Sequence, residues 1–307
     1  MSIQSFQINT LIAYTKHLRN FNVNKALQLK IDAINKFYTD ENLDTAIIGL
    51  SGGIDSALVY YLFLEAANRP GSPIKKVVGI FMPINTKGIT GQDTAQDCVD
   101  LLIKNMPDKY KNDKQEYFNH DLTNVVEAYY NQLHFSTEWV SGQLACIART
   151  PVLYGMAAEY QVKGYKSIVV GTTNRDEGCY IGFYGKASDG MVDLQPIADF
   201  HKSEVYELAE LLNVPQEIIE RKPMGDVWDS KVDEEMFGAP YYILELWIIL
   251  MENKLTSLVE NLIVIPEHFE LKQWIENLKS AHQKNLHKYK VGSPARYIDV
   301  MRRKLEF

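Results

Sequence analysis

The sequence predicts an α/β protein: a doubly wound parallel sheet with helices on both faces and helical extensions at both ends. Three observations carry this expectation. Short apolar runs at Ile47–Leu50, Val77–Met82 and Ser167–Val170 have the length and β-branched content of buried strands. Helical patterns separate them, as parallel pairing requires. Each run ends in a polar or glycine-rich loop, the place where open α/β sheets bind ligands.

In chain order, residues from about Ser5 to Tyr38 carry two helical patterns. The second, Ala26–Tyr38, puts Leu27, Ile31, Ile34 and Phe37 on one stripe. The first strand follows and breaks into Ser51-Gly52-Gly53. A helix begins at Asp55-Ser56, carries Ala57, Leu58, Tyr61, Leu62 and Leu64, and stops at the breaker Asn68-Arg69-Pro70-Gly71. Pro83 stops the second strand. Ile84–Thr90 reads as a loop, and Gln92 opens a helix carrying Ala95, Val99, Leu101 and Leu102. The polar stretch Pro107–Phe118 reads as exposed, with a short strand near Glu116–Phe118. Helices are expected over Val125–Leu133 and Gly142–Gln161. After the third strand, Ser203–Leu212 and Gln216–Glu220 read as helices, and Pro223–Gly238 as a mobile loop. From Tyr241 the chain reads as helical, with breaks at Pro266 and Pro294. The expected organisation is one domain over 1–307: helices over 1–40, the sheet over 41–223, and the loop with C-terminal helices over 224–307.

Bulk properties narrow the classes. An apolar content of 46% and a charged content of 23% fit a globular protein. No apolar stretch reaches the ~20 residues that span a bilayer. The N-terminus lacks a signal-peptide pattern, so a cytoplasmic location is expected. A net charge of −7 and the absence of a long basic tract argue against a nucleic-acid partner. Cys98, Cys146 and Cys179 are widely spaced and form neither a zinc pattern nor a disulfide framework; core packing under reducing conditions is their expected role.

The chemistry concentrates at Ser51-Gly52-Gly53-Ile54-Asp55-Ser56. Strand, glycine turn and helix start together make an anion site, because free N–H groups and the helix dipole favour negative charge there. No G-x-x-x-x-G-K-[ST] loop occurs in the chain. A carboxylate beside phosphates makes sense if it holds Mg²⁺. Glu177, beyond the third strand, is a candidate second ligand; on its own it fits equally a helix-start carboxylate favoured by the dipole.

The string from Ser51 to Ser56 resembles the pyrophosphate loop of the N-type ATP pyrophosphatases, which cleave ATP between the α- and β-phosphates. With Gly171-Thr172-Thr173-Asn174 leading to Glu177, then Lys186, Asp189, Gly190 and Asp193, then Pro196, Ile197, Asp199 and Lys202, the chain resembles the ammonia-dependent NAD synthetases. The resemblance runs from about residue 26 to 290. It implies an adenine nucleotide α-hydrolase-like, Rossmann-like sheet. It also implies ATP contacts from Gly49, Ser51, Gly52, Gly53, Asp55, Ser56, Met82, Thr172, Lys186 and Lys202, with Asp55, Lys186 and Lys202 as the catalytic groups. Mg²⁺ would sit on Asp55 and Glu177. The acceptor, deamido-NAD, would meet Arg149, Asn174, Asp189 and Asp193. Alone, each lysine is better read as a solvated surface residue, and the competing reading of Arg149 is a helix-surface arginine.

The chain departs from the family pattern at Ile147, Gln143, Phe81-Met82-Pro83, Met191 and His287-Lys288-Tyr289. The resemblance implies free ammonia, or ammonia from a separate glutaminase, because the length leaves no room for the amidase domain of glutamine-dependent relatives. It also implies a homodimer, with Tyr129, Tyr130, Phe135, Trp139 and the helix from Gly142 as the contact. The competing readings are a ligase for another carboxylate, a tRNA-modifying relative and a non-catalytic nucleotide-binding regulator.

Overall fold

The computed structural model describes residues 3–86, 91–133, 137–223, 232–290 and 296–297. The chain enters through helices α1 (Ile3–Arg19) and α2 (Val23–Asp40), the second capped by Asn22, whose side chain accepts the Lys25 N–H. It then forms β1 (Thr45–Leu50), α3 (Ile54–Ala67), β2 (Lys76–Phe81), α4 (Gln92–Lys104), β3 (Gln115–Asn119), α5 (Thr123–Leu133), α6 (Glu138–Val162) and β4 (Ser167–Val170). A π-helical turn over Asp176–Ile181 leads to β5 (Leu194–Gln195), α7 (Lys202–Leu211) and α8 (Gln216–Glu220). The rest is α9 (Asp233–Phe237), α10 (Tyr241–Glu252), α11 (Ser257–Ile263), α12 (Phe269–Lys290) and β6 (Arg296–Tyr297).

The six strands make one parallel sheet in the order β3-β2-β1-β4-β5-β6. Strand alternation explains its two covered faces. Ala46 and Ile48 of β1 pack with α2, α3 and α7, whereas Ile47 packs with Val126 of α5 and Ala145, Ala148 and Ala157 of α6. A third core lies outside the sheet, where α10 and α12 close on the π-helical turn through Ile243, Trp247, Leu271 and Tyr180. From β1 the chain winds outward to β2 and β3, then crosses to β4 on the other side. The crevice beyond β1 and β4 is therefore the switch point at which such sheets bind ligands.

The differences from expectation are local. α6 begins earlier than Gly142, with Thr137 as its cap. The two-residue strands β5 and β6 and the π-helical turn carry no periodic pattern. The segment read as a mobile loop contains α9, closed by Gly238 at φ 75°. Its residues 224–231 lie outside the described residues, as do Pro294 and Phe135. Among the described residues, no helix is long and apolar enough to cross a membrane.

Candidate active site

The glycine loop joins β1 to α3. Gly52 adopts φ +77°, and a Cβ there would lie 2.7 Å from the Ala95 carbonyl oxygen and 2.9 Å from its Cα. Glycine thus serves both the left-handed turn and the close approach of α4. Ser56 organises the loop from inside: its Oγ donates to the Gly53 carbonyl at 3.0 Å and accepts the Ser51 N–H at 3.1 Å. Ser51 Oγ accepts the Gly53 N–H at 3.2 Å. Gly53 caps α3 with no side-chain bond to the first turn, so Ile54 and Asp55 start the helix against the cleft, where an anion meets its dipole.

Opposite the loop, β4 and α7 complete a charge cluster. Lys202 Nζ donates to Asp55 Oδ2 at 2.5 Å and to Glu177 Oε1 at 3.4 Å. Asn174 Nδ2 donates to Asp55 at 3.0 Å and to Glu177 at 2.7 Å, so one buried amide spans both carboxylates. Tyr241 donates to Glu177 at 2.8 Å and lies 3.2 Å from Asp233, bringing α10 and α9 into the group. Burial, reinforced by Asp55 and Asp233, raises the Glu177 carboxyl to about 7 against the pull of Lys202. Burial alone would lower the Lys202 ammonium, but Asp55 and Glu177 outweigh it and raise it, so Lys202 is charged.

The cluster floors a cleft of about 540 Å³. Gly49, Met82 and Thr172 line it, as do Gln143, Cys146 and Arg149 from α6 and Asp189 from the segment before β5. Arg149 Nε donates to the Met82 carbonyl at 3.2 Å, which fixes its guanidinium on the cleft wall. Cys179 is buried in the π-helical turn.

Several expected residues are used differently. Lys186 is exposed and is not among the cleft-lining residues. Asp193 accepts the Val169 N–H at 2.8 Å and the Tyr154 hydroxyl at 3.3 Å, so it joins β4 to α6 instead of lining the cleft. Asn174 is spent on Asp55 and Glu177 beneath the cleft rather than facing an acceptor. Gly52 and Ser56 stand behind the loop surface.

Other groups escaped sequence reasoning. Arg221 Nη1 donates to the Gly52 carbonyl at 3.2 Å and lines the cleft beside Lys222, placing a cation at the glycine loop. Lys288 of α12 donates to the Gly182 and Tyr184 carbonyls at 2.6 and 2.5 Å and lines the opposite wall. The Arg221 contact with Gly52 joins residues 169 apart in the chain, so no local pattern shows it. Tyr241 had no local signal.

A glycine loop at a parallel-sheet switch point, facing two carboxylates and a buried lysine, defines a nucleotide-binding α/β enzyme that works without a P-loop lysine. The chain belongs to the NAD synthase family, which it matches over residues 26–292. It is 31% identical over 225 residues to the NH(3)-dependent NAD(+) synthetase of Methanococcoides burtonii, covering 72% of this chain and 77% of that one. Its fold is similar to that of NMN synthetase from Francisella tularensis, with TM-score 0.67 and 23% identity over 89% of this chain and 98% of that one. It is similar also to the NH3-dependent NAD synthetase from Campylobacter jejuni, with TM-score 0.64 and 24% identity over the same shares, 89% and 98%.

Proposed function

We propose that this chain amidates deamido-NAD to NAD through an acyl-adenylate, consuming ATP and ammonia and releasing AMP and pyrophosphate. The observation that carries the reading is the Asp55–Lys202–Glu177 cluster set against the uncapped start of α3. The nicotinate carboxylate attacks the α-phosphorus, forming one P–O bond while the bond to the β-phosphate oxygen breaks. Lys202 and the start of α3 offset the charge that grows on pyrophosphate, and Arg221 stands ready at the loop. Ammonia then attacks the acyl carbon, AMP leaves and one proton is released. Holding both reactants in one cleft supplies orientation, and no covalent enzyme intermediate is needed.

The residues fit Mg²⁺. Asp55, Glu177 and nearby Asp233 outnumber the single ammonium of Lys202, and the Glu177 carboxyl is raised first by burial and then by Asp55 and Asp233. Among the described residues no three acidic, His or Cys side chains converge as a metal-binding set. Asp55 and Glu177 would be the two protein ligands, leaving the other positions to phosphate oxygens and water, as this hard cation prefers. When bound, Mg²⁺ supplies charge neutralisation on the departing pyrophosphate.

A pH dependence follows. Below about pH 7 Glu177 is protonated in the free protein, whereas ligation needs the carboxylate. Affinity for Mg²⁺ with ATP should hold above that value and fall by roughly tenfold on going one pH unit below it. Calorimetric titrations on either side of the midpoint check this. The slope should vanish in Glu177→Gln, and a slope that survives there would assign the proton elsewhere.

We also infer a homodimer through α5 and α6, where Val125, Tyr129, Leu133, Trp139 and Ile147 are exposed large apolar residues. Tyr130 of the expected contact instead turns inward and donates to the Ser141 carbonyl at 3.0 Å. Light scattering at micromolar concentration should give twice the chain mass, and a fully active monomer would contradict the dimer. The cytoplasm suits the chain, in which Cys98, Cys146 and Cys179 form no disulfide among the described residues. The function itself is tested by incubating the protein with deamido-NAD, ATP and ammonium. NAD, AMP and pyrophosphate should appear together, whereas ADP and phosphate would refute the reading.

A further inference from the structure

Behind the cleft, buried charged groups surround the start of α7, and the chemistry above uses none of them. Asp176, the residue before Glu177, is fully buried. Its Oδ2 accepts the backbone N–H of Lys202 at 2.7 Å, and its Oδ1 lies 2.6 Å from Nδ1 of His201. His201 caps α7, and Lys202 is the first residue of that helix. The Lys202 N–H is one of the donors that a helix start leaves without an intrahelical acceptor, and Asp176 satisfies it. Burial pushes the His201 ring down to about 4, so the ring is neutral.

The neighbouring backbone donor is held from the other side. Glu204 accepts the His201 N–H at 2.9 Å and is itself held by Arg19 of α1 at 2.6 Å. Arg19 lies outside the segment that matches the family, which begins at residue 26. The backbone that carries Lys202 is thus fastened at two successive N–H groups by two buried carboxylates. One of these, Asp176, is covalently next to Glu177. A single side chain therefore ties the turn that bears one half of the charge cluster to the helix that bears the other. Neither Asp176 nor His201 lines the cleft.

We propose that Asp176, acting with His201, is a positioning residue that sets the Lys202 ammonium in register with Asp55 and Glu177 for the ATP phosphates. The assignment rests on the ATP site described above and is read by binding, apart from turnover of any acceptor. The probe is α,β-methylene-ATP with Mg²⁺, titrated calorimetrically into the whole protein, with thermal melts confirming that each variant is folded.

Asp176→Ala should weaken binding roughly tenfold, the scale of one charge-assisted contact. Asp176→Asn should stay within about threefold of the wild type, because its side-chain oxygen still accepts the Lys202 N–H and its amide can donate to the other His201 tautomer. In a Lys202→Met background, Asp176→Ala should cost nothing further, as two residues acting through one contact do not add. The same factor lost in both backgrounds, or wild-type affinity in Asp176→Ala, would overturn the proposal. Should Asp176→Ala fail to fold, His201→Phe enters the same cycle: a loss confined to the Lys202 background supports the proposal, and unchanged affinity overturns it. A wild-type protein that binds no analogue would be a different failure, removing the ATP site itself and this assignment with it.

Discussion

Exchanging Asp55 for Asn is expected to lower turnover by at least about 10²-fold, the scale on which preorganised charge stabilises a leaving group. The side chain would keep its shape and its place at the start of α3. It would lose the charge that holds Lys202 at 2.5 Å and that a cation on the pyrophosphate needs. Glu177→Gln should behave alike, since both carboxylates share Asn174 and Lys202. Steady-state kinetics at limiting Mg²⁺ make the comparison. Near-normal turnover in both variants would show that the cluster does not act on ATP.

The second large effect is expected at Gly52. Gly52→Ala places a methyl group 2.7 Å from a backbone oxygen of α4, at φ +77° where an L-residue costs about 1–2 kcal/mol before any clash. The loop must move, and its movement displaces the Gly52 carbonyl that Arg221 holds. Affinity for ATP should fall at least about tenfold and the melting temperature by a few degrees, at roughly 1.5 °C per kcal/mol for a chain of this size. Gly164→Ala is the control: at φ +89° it carries the same backbone strain, but its Cβ would meet nothing within 4 Å and it does not line the cleft, so affinity for ATP should be unchanged. Equal affinities for Gly52→Ala and the wild type would mean that the loop does not cradle the phosphates.

Legibility in the sequence followed locality. The strand, glycine turn and helix around Ser51–Ser56 are adjacent in the chain, so residue type and order reveal them. The pairing of β1 with β4 follows from alternating strands and helices and brings Asp55 near Glu177 as expected. β5 has two residues, too few for any period to show, and the π-helical turn has no pattern of its own. Tyr241 sits in an apolar helix that reads as core, and only the packing of α10 on the turn aims its hydroxyl at Glu177. For Asp193 and Lys186, motif spacing indicated that they belong to the region but not where their side chains go. Asp193 turns to the Val169 N–H, a buried backbone donor of β4 that needs an acceptor. Arg175, in the loop between β4 and Glu177, is fully buried and pairs with Glu252.

The central claim is that the acceptor carboxylate attacks the α-phosphorus of ATP in this cleft. Deamido-NAD labelled with oxygen-18 in its nicotinate carboxylate tests it most directly, with ATP, Mg²⁺ and ammonium present and AMP read by mass spectrometry. Each AMP formed from labelled acceptor should carry one labelled oxygen in its phosphate, because the carboxylate oxygen bonded to phosphorus stays there when ammonia displaces AMP. Unlabelled AMP, or ADP in its place, would contradict the account.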